Sequence, residues 1–239
     1  MPTYPRYAIY FVPPAESDFY RFGAHLLGYD AFSGEALSFP DGIESQIDNW
    51  QAITADPLKY GFHATLKAPF SLADGQTEAR LLDEVRKFAN MPRAIPLIAP
   101  VIRAIGSFIA IVPQTLSPDL QQLAADCVTA FEAFRAPLTE HDRARRNLST
   151  LTDKQIALLD RWGYPYVFDE FRFHMTLTGS LPAGRIEPVA GILRARFAAI
   201  ATSTLSIGRI ALMRQSEAAS RFTVVSHEVL KSLDQTPAK

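Results

Sequence analysis

The chain has 239 residues, of which 48% are hydrophobic and 21% charged, the balance of an ordinary globular protein that can bury a substantial apolar core. Its formal net charge of −1 excludes a strong overall electrostatic attraction to nucleic acid or anionic lipid. The single cysteine, Cys127, excludes an internal disulfide and any metal cluster built from cysteines.

The first half of the chain mixes strand and helix patterns. Residues 6–12 are aromatic and β-branched, which predicts a strand that ends at Pro13-Pro14. No signal peptide precedes this strand and no apolar stretch is long enough to cross a membrane, so we expect a cytoplasmic protein without a membrane partner. The next patterns predict, in order, helices at 16–28 and 43–53, a strand at 62–70, a helix at 78–90 capped by Thr77, and strands at 97–105 and 108–112 joined as a hairpin by Gly106-Ser107.

The second half adds a helix-rich segment at about 117–162, which is larger than two minimal lobes require. It predicts a helix at 117–134, capped by Ser117, and two shorter helices at 139–146 and 152–162. The remaining patterns predict a strand at 171–179, a helix at 188–200, and strands at 205–213 and 221–229. Because helices and strands are interspersed without strict βαβ alternation, we predict an α+β protein. The helical insertion could be a lid, a specificity element or an oligomer contact.

One short motif occurs once in each half of the chain. Gly61-Phe62-His63-Ala64-Thr65-Leu66 and Arg172-Phe173-His174-Met175-Thr176-Leu177 share the sequence Phe-His-x-Thr-Leu. Side chains alternate between the two faces of a strand, so the histidine and the threonine of each copy point the same way. Lys67 continues the polar face of the first copy, and Arg172 and Thr178 lie on that of the second. Each strand is therefore expected to present an imidazole, a hydroxyl and a cation.

This combination of side chains suits a phosphodiester. A neutral imidazole can remove a proton from attacking water while an imidazolium protonates the departing alkoxide. Thr65 and Thr176 could donate to the non-bridging oxygens, and Lys67 and Arg172 could neutralise the anion. Neither copy has the spacing of a zinc site, and no nucleophile elbow or glycine-rich nucleotide loop is present, so we expect no metal and no cofactor.

The paired motifs resemble the signature of the two-histidine (2H) phosphoesterase superfamily. A closer resemblance is to a branch assigned to phosphonate metabolism, whose members are encoded with carbon–phosphorus lyase systems; it rests on residues 6–11, 60–70, 134–139 and 161–174. It implies that residues 1–239 are a single domain of two αβ lobes related by a pseudo-twofold axis, with antiparallel-rich sheets facing a central groove and with motif strands at 62–70 and 171–179. It also implies that His63 and His174 are catalytic and that Thr65 and Thr176 bind phosphate.

The resemblance points to a small phosphorylated substrate, such as the ribose 1,2-cyclic phosphate with a 5-phosphate that carbon–phosphorus lyase pathways form. The candidate substrate-binding residues are Lys67, Arg172, Thr178, Tyr10 and Arg103, together with the cluster Arg143, Arg145 and Arg146. Two alternatives stay open: an RNA-end enzyme acting on 2′,3′-cyclic phosphates, and a nucleotide- or phosphate-binding module without activity. The near-neutral charge weighs against long nucleic acid, and no protein partner is predicted. Either histidine could be the base.

Overall fold

The computed structural model describes residues 3–144 and 146–233. Within this part of the chain there are eight α-helices and nine β-strands, which confirms the α+β class. In chain order they are β1 (Arg6–Phe11), α1 (Asp18–Leu27), α2 (Ile43–Gln46), α3 (Trp50–Leu58), β2 (Ala64–Ser71), α4 (Glu78–Asn90), β3 (Leu97–Ile98), β4 (Pro100–Ile105), β5 (Phe108–Pro113), α5 (Pro118–Ala130), α6 (Glu140–Ala144), α7 (Asp153–Trp162), β6 (Met175–Thr176), α8 (Ala183–Ala198), β7 (Leu205–Ser206), β8 (Arg209–Gln215) and β9 (Thr223–Val229).

Seven strands of the described chain form one antiparallel sheet in the order β4-β5-β6-β2-β1-β8-β9, and β3 pairs with β7 separately. The two strands that carry the repeated motif, β2 and β6, are neighbours at its centre. On the β6 side the sheet continues with β5 and β4, and on the β2 side it continues with β1, β8 and β9. The sheets of the two halves are therefore continuous through the β2–β6 pair.

Amphipathic helices bury the apolar side chains of this sheet. Thr77 caps α4 by accepting a hydrogen bond from the Arg80 amide, and Ser117 caps α5 in the same way through the Leu120 amide, so both predicted caps are confirmed. α4 packs on β8 and β9, α5 on β2, and α8 on β4 and β5. The motif strand β2 is thus supported by a helix. None of the described helices combines the length and the apolar character needed to cross a bilayer.

Several predicted elements differ in extent. The strand predicted at 171–179 is only Met175–Thr176, because a 3-10 helix at Phe168–Glu170 occupies the chain before it and the amides of Leu177 and Thr178 both turn to the Ile109 carbonyl. The helix predicted at 43–53 is divided by Asn49, whose φ of 59° is incompatible with a continuous helix. The hairpin around Gly106-Ser107 is confirmed, since Ile105 pairs with Phe108.

A bulge in β2 changes which side chains share its polar face. Tyr10 of β1 pairs with Thr65, but the preceding residue, Ile9, pairs with Lys67, so Leu66 is an extra residue without a partner on β1. Paired residues lie on the same face of a sheet, and Ile9 and Tyr10 lie on opposite faces. Lys67 therefore projects from the face opposite Thr65, and its predicted place beside His63 and Thr65 is wrong.

Candidate functional site

The two motif copies face each other across the β2–β6 boundary. Ala64 pairs with Met175 in antiparallel register, so continuing the register by one residue sets His63 opposite Thr176 and Thr65 opposite His174. Directly opposed side chains have Cβ atoms about 5 Å apart, and diagonal ones about 7–8 Å. The two imidazoles are diagonal neighbours across the two strands, and the hydroxyls of Thr65 and Thr176 form the other diagonal pair. The four side chains therefore lie within one small area of the sheet face.

Both imidazoles are oriented by the same backbone contact. Nδ1 of His63 lies 2.9 Å from the Gly61 carbonyl oxygen, and Nδ1 of His174 lies 2.8 Å from the Arg172 carbonyl oxygen. A carbonyl oxygen can only accept, so each Nδ1 carries the hydrogen and donates it. In the neutral ring the lone pair is then on Nε2. On His63 this nitrogen is 3.3 Å from the Thr65 hydroxyl, on the side of the motif threonines.

The backbone that orients His63 requires glycine at position 61. Gly61 has a φ of +73°, in the left-handed region that favours glycine. A Cβ atom at this position would also lie 2.8 Å from the Cβ of Ala31, closer than carbon atoms normally approach. In the second copy the corresponding carbonyl belongs to Arg172, which shows neither restriction. The same hydrogen bond is therefore made from two different backbone conformations.

Burial lowers the pKa of both histidines by disfavouring the charged ring. The pKa of His63 falls to about 4, since burial and the nearby His174 outweigh the hydrogen bond to Gly61. Burial also lowers the pKa of His174, against the opposing effect of its hydrogen bond to the Arg172 carbonyl. Tyr10, only 1% exposed, stacks on the His63 ring with centroids 3.9 Å apart and covers one of its faces. His63 is thus held in its neutral form.

A cavity of about 390 Å³ opens on the His63 side of the motif pair. We call it the arginine cavity, because Arg6, Arg135 and Arg146 lie in its wall. It is also lined by Tyr10, Tyr60, His63, Thr65, Thr139, Asp142, Tyr164 and Thr176. Residues 139–146 belong to the helical insertion, so this insertion supplies one wall of the site.

A second cavity, of about 430 Å³, opens on the His174 side. We call it the aromatic cavity, because rings dominate its wall: Phe108, Tyr164, Tyr166, Phe168 and Phe171. His174, Arg172 and Glu170 supply its charged and titratable groups. Thr65 and Tyr164 line both cavities, so the two spaces meet at the motif pair.

Two candidate substrate-binding residues of the sequence analysis lie in these walls. Tyr10 lines the arginine cavity under the His63 ring, and Arg172 lines the aromatic cavity next to His174. Arg146 of the predicted cluster lines the arginine cavity, whereas Arg143 is engaged by Asp160, with Nε 2.7 Å from the carboxylate. Arg145 lies outside the described residues.

Three other candidates lie elsewhere. Lys67 is 4% exposed, and its Nζ donates to the Glu132 carboxylate and the Val128 carbonyl, both at 2.8 Å. Thr178 is fully buried; its hydroxyl accepts from the Ile109 amide and donates to the Gly179 carbonyl. Arg103 is exposed on β4 and lines neither cavity. The burial and hydrogen bonds of Lys67 and Thr178 contradict a direct contact of either residue with a substrate. The role of Arg103 stays a prediction.

The arginine cavity also contains residues that were not named as candidates from the sequence, among them Arg6, Tyr60, Arg135 and Tyr164. These four come from distant parts of the chain and follow no common spacing, although each lies in a segment that carries the family resemblance. Among the described residues, no three His, Cys, Asp or Glu side chains are grouped as a metal site. The cleft offers imidazoles, hydroxyls, phenols and guanidinium ions, together with one carboxylate in each cavity wall, Asp142 and Glu170.

Two curated proteins are similar to most of this chain. Both are called ribose 1,5-bisphosphate phosphokinase PhnN. The chain is 38% identical over 216 residues to the protein of Janthinobacterium sp. (strain Marseille), which covers 88% of this chain and 47% of that protein. It is 36% identical over 181 residues to the protein of Laribacter hongkongensis (strain HLHK9), and this match covers 74% of this chain and 40% of that protein. The chain thus spans less than half the length of these relatives.

Among solved structures, the crystal structure of E. coli LigT complexed with NADP+ matches 95% of this chain and 98% of its own, at 13% identity and a TM-score of 0.43. This likeness is too distant to support an argument about function. The family described as "Protein of unknown function (DUF1045)" matches residues 65–223, which include Thr65, His174 and Thr176. Since this match covers well over half of the sequence, the chain belongs to the DUF1045 family.

Proposed function

We propose that this protein is a phosphodiesterase of the two-histidine type, which opens a small cyclic phosphodiester by general acid–base catalysis without a metal. The observation that carries the proposal is the register of β2 and β6, which sets His63 opposite Thr176 and Thr65 opposite His174 where two cavities meet. Binding an anion requires only cations and hydrogen-bond donors. Two imidazoles with oriented Nε2 atoms are what proton transfer requires in addition.

In the proposed reaction, Nε2 of His63 takes a proton from a water molecule as its oxygen attacks phosphorus. The bond from phosphorus to one ester oxygen breaks, and Nε2–H of protonated His174 gives its proton to that oxygen, which leaves as an alcohol. The ring-opened product is a phosphomonoester, His63 is left protonated and His174 neutral, and proton exchange with solvent restores the starting forms of both rings. Thr65 and Thr176 donate to the non-bridging oxygens, which hold the charge of the transition state.

The surroundings of the two rings support this division of roles. His63 is stacked under Tyr10 and has a pKa lowered to about 4, so it stays neutral as a base through the mildly acidic and neutral range. His174 also has a lowered pKa, and its ring lines the aromatic cavity. The bound phosphodiester anion would favour protonation of His174 before catalysis.

For the substrate, we propose a ribose 1,2-cyclic phosphate that carries a 5-phosphate. Breaking its phosphorus–O2 bond leaves the phosphate on O1 and produces ribose 1,5-bisphosphate, which is the compound in the name of the two curated relatives. The present chain corresponds to less than half of those proteins and contains no Gly-x-x-x-x-Gly-Lys-Ser/Thr nucleotide-binding motif. A phosphodiesterase here would supply the substrate that their name specifies.

The aromatic cavity favours one alternative, the processing of RNA ends with 2′,3′-cyclic phosphates. Phe108, Tyr166 and Phe168 line this cavity, and aromatic side chains stack on nucleobases. A nucleoside whose cyclic phosphate lies between His63 and His174 could place its base there. The formal charge of −1 gives little general attraction for a longer RNA, so this alternative concerns short ends.

The test compares three substrates with purified protein in the presence of a chelator: the ribose 1,2-cyclic phosphate with a 5-phosphate, a nucleoside 2′,3′-cyclic phosphate, and a short RNA with a 2′,3′-cyclic end. We expect fastest turnover of the first, and a loss of about 10²- to 10⁴-fold in His63→Ala and in His174→Ala. His25→Ala is the matched control, because His25 lies outside both cavities. Preference for the RNA end would select the alternative, and chelator-sensitive activity or binding without turnover would overturn the mechanism.

A further inference from the structure

We propose that the arginine cavity is a second phosphate site, which binds a phosphomonoester carried by the substrate whose diester lies between His63 and His174. This inference rests on the proposed function and extends it: the substrate class is a cyclic phosphodiester with a separate terminal phosphate, and three arginines recognise that phosphate. The observation behind it is an excess of guanidinium over carboxylate charge on one side of the cleft.

Arg6 is held in place without losing its charge. Its Nε and Nη2 donate to the side-chain oxygen of Gln215 at 3.0 and 2.5 Å. Gln215 is a neutral partner, only 5% exposed, and is itself fixed by donating to the Ser220 carbonyl. Within residues 3–144 and 146–233, no carboxylate forms an ion pair with Arg6. A buried amide thus orients a guanidinium whose positive charge stays available to a ligand.

Arg146 has a similar combination of orientation and free charge. Its guanidinium lies 5.3 Å from the centre of the Tyr164 ring, and no described carboxylate pairs with it. Arg143, three residues earlier, differs, because Asp160 binds it through Nε and Nη2. One arginine of this segment is therefore neutralised by the protein, and the other faces the cavity.

The third arginine adds charge through a shared carboxylate. Arg135 lies 2.6 Å from Glu132, but the same carboxylate is 2.8 Å from Nζ of the buried Lys67. Nη1 of Arg161 lies 4.0 Å from the same carboxylate, so one negative charge serves three cations. Asp142 supplies one carboxylate in the cavity wall, and Thr139 donates a hydrogen bond to it at 2.7 Å. Three guanidinium groups against one cavity carboxylate suit a phosphomonoester, which carries a charge of about −1.5 to −2 near neutral pH.

The position of these arginines fits a second group on the same molecule. His63, Thr65 and Thr176 line the same cavity, so its space is continuous with the proposed diester site. A volume of about 390 Å³ is in the size range of pockets for small ligands. The aromatic cavity offers one arginine, Arg172, together with Glu170, and so lacks the excess of positive charge. The terminal phosphate is therefore assigned to the arginine cavity.

The test measures kcat/KM for two substrates that differ only in the terminal group: ribose 1,2-cyclic phosphate with and without its 5-phosphate. The wild-type protein should prefer the phosphorylated form. In Arg146→Gln we expect the ratio of the two kcat/KM values to fall about 10-fold or more, since a charge-assisted contact to the terminal phosphate is lost. Arg143→Gln is the matched control, because it removes a guanidinium from the same segment outside the cavity, and its ratio should equal that of wild type.

Failure of this inference can be separated from failure of the proposed function. Equal wild-type kcat/KM for both substrates, or equal ratios in Arg146→Gln and Arg143→Gln, would overturn the second phosphate site while the phosphodiesterase stands. If the wild-type protein opens neither substrate, titration with ribose 5-phosphate and with ribose decides the matter. Tighter binding of ribose 5-phosphate that weakens about 10-fold in Arg146→Gln supports the site. Equal binding of the two sugars overturns it.

Discussion

The two copies of Phe-His-x-Thr-Leu have the same chemical groups in different surroundings. His63 has a buried tyrosine stacked on one face, a glycine carbonyl at Nδ1 and an arginine-lined cavity in front of it. His174 receives its Nδ1 contact from the Arg172 carbonyl, has the Phe108 ring 5.8 Å away and lines the aromatic cavity. A nearly symmetric pair of motifs is thus placed in an asymmetric cleft.

Under the proposed mechanism, this contrast would let one repeated sequence supply two different catalytic roles. General acid–base catalysis requires one neutral ring and one protonated ring at the same pH, and identical rings in identical surroundings would titrate together. Burial lowers the pKa of His63 to about 4, with Tyr10 stacked on its ring, and it also lowers the pKa of His174, whose ring lines the aromatic cavity. The two histidines therefore differ through the residues that surround the motif, not through the motif itself.

The largest expected effect is on kcat, and it distinguishes the two histidines by whether the leaving group of the substrate needs a proton. With a cyclic ester whose product is an alkoxide, His63→Ala and His174→Ala should each lose about 10²- to 10⁴-fold in kcat. With methyl 4-nitrophenyl phosphate, the departing phenolate needs no proton, so His174→Ala should lose less than about 10-fold while His63→Ala still loses about 10²-fold or more. Release of 4-nitrophenolate measures both rates. The reverse pattern would exchange the roles, and equal losses with both substrates would contradict the division.

A smaller and symmetric effect is expected from the threonines. Thr65→Val and Thr176→Val remove hydroxyls at equivalent positions, and each should lower kcat/KM about 10- to 100-fold, the range for hydrogen bonds to charged groups. Thr178→Val is the matched control, because its hydroxyl bonds only to the Ile109 and Gly179 backbone. It should reduce the unfolding temperature and leave kcat/KM within about twofold. A large loss of kcat/KM in only one of the two variants Thr65→Val and Thr176→Val would show that the two threonines do not have equivalent roles.

The smallest expected effect is a shift in pH dependence. A base acts only above its own pKa. Because the pKa of His63 is about 4, kcat/KM should begin to fall on the acidic side only at about pH 4. Tyr10→Leu uncovers one face of the ring, weakens burial and should raise this acidic limb by about one pH unit, with a roughly 5-fold loss at pH 4. Tyr10→Phe keeps the stacked ring and should keep the limb.

A substrate without a phosphomonoester is needed for this measurement, because the second ionisation of a phosphomonoester, at about pH 6, would overlap the profile. Because the pKa of His174 is lowered as well, the optimum of kcat/KM should lie below pH 6.5, where the ordinary imidazole titrates. Identical acidic limbs in Tyr10→Leu and Tyr10→Phe would show that stacking has no part in the pKa of His63.

The class of fold and the central pair of motifs could be predicted from the sequence. Periodicity and caps gave α4 and α5 with Thr77 and Ser117 as N-caps, and strand alternation placed each histidine beside its threonine. Each of these features depends on residues within one turn or two strand positions of each other. Local chemistry was therefore sufficient for them.

Features that depend on pairing between distant segments could not be predicted in this way. The bulge that turns Lys67 away arises because Ile9 pairs with Lys67 and Tyr10 pairs with Thr65, which leaves Leu66 without a partner on β1. The sequence of β2 alone does not indicate this pairing. The arginine cavity combines Arg6, Arg135 and Arg146, which only the folded chain brings together. Arginines also appear on ordinary solvated surfaces, as Arg103 does, so residue type alone could not select the three.

Gly61 has a consequence for how the two motif copies tolerate change. Its carbonyl sets the tautomer of His63, and its left-handed φ together with the contact to Ala31 leaves no room for a side chain. At the equivalent position in the second copy, Arg172 already carries a long side chain while making the same contact through its backbone. The residue two positions before the histidine can therefore vary in the second copy, but only glycine fits there in the first copy. In both copies a backbone carbonyl holds the hydrogen on Nδ1, and a side-chain substitution cannot remove that carbonyl.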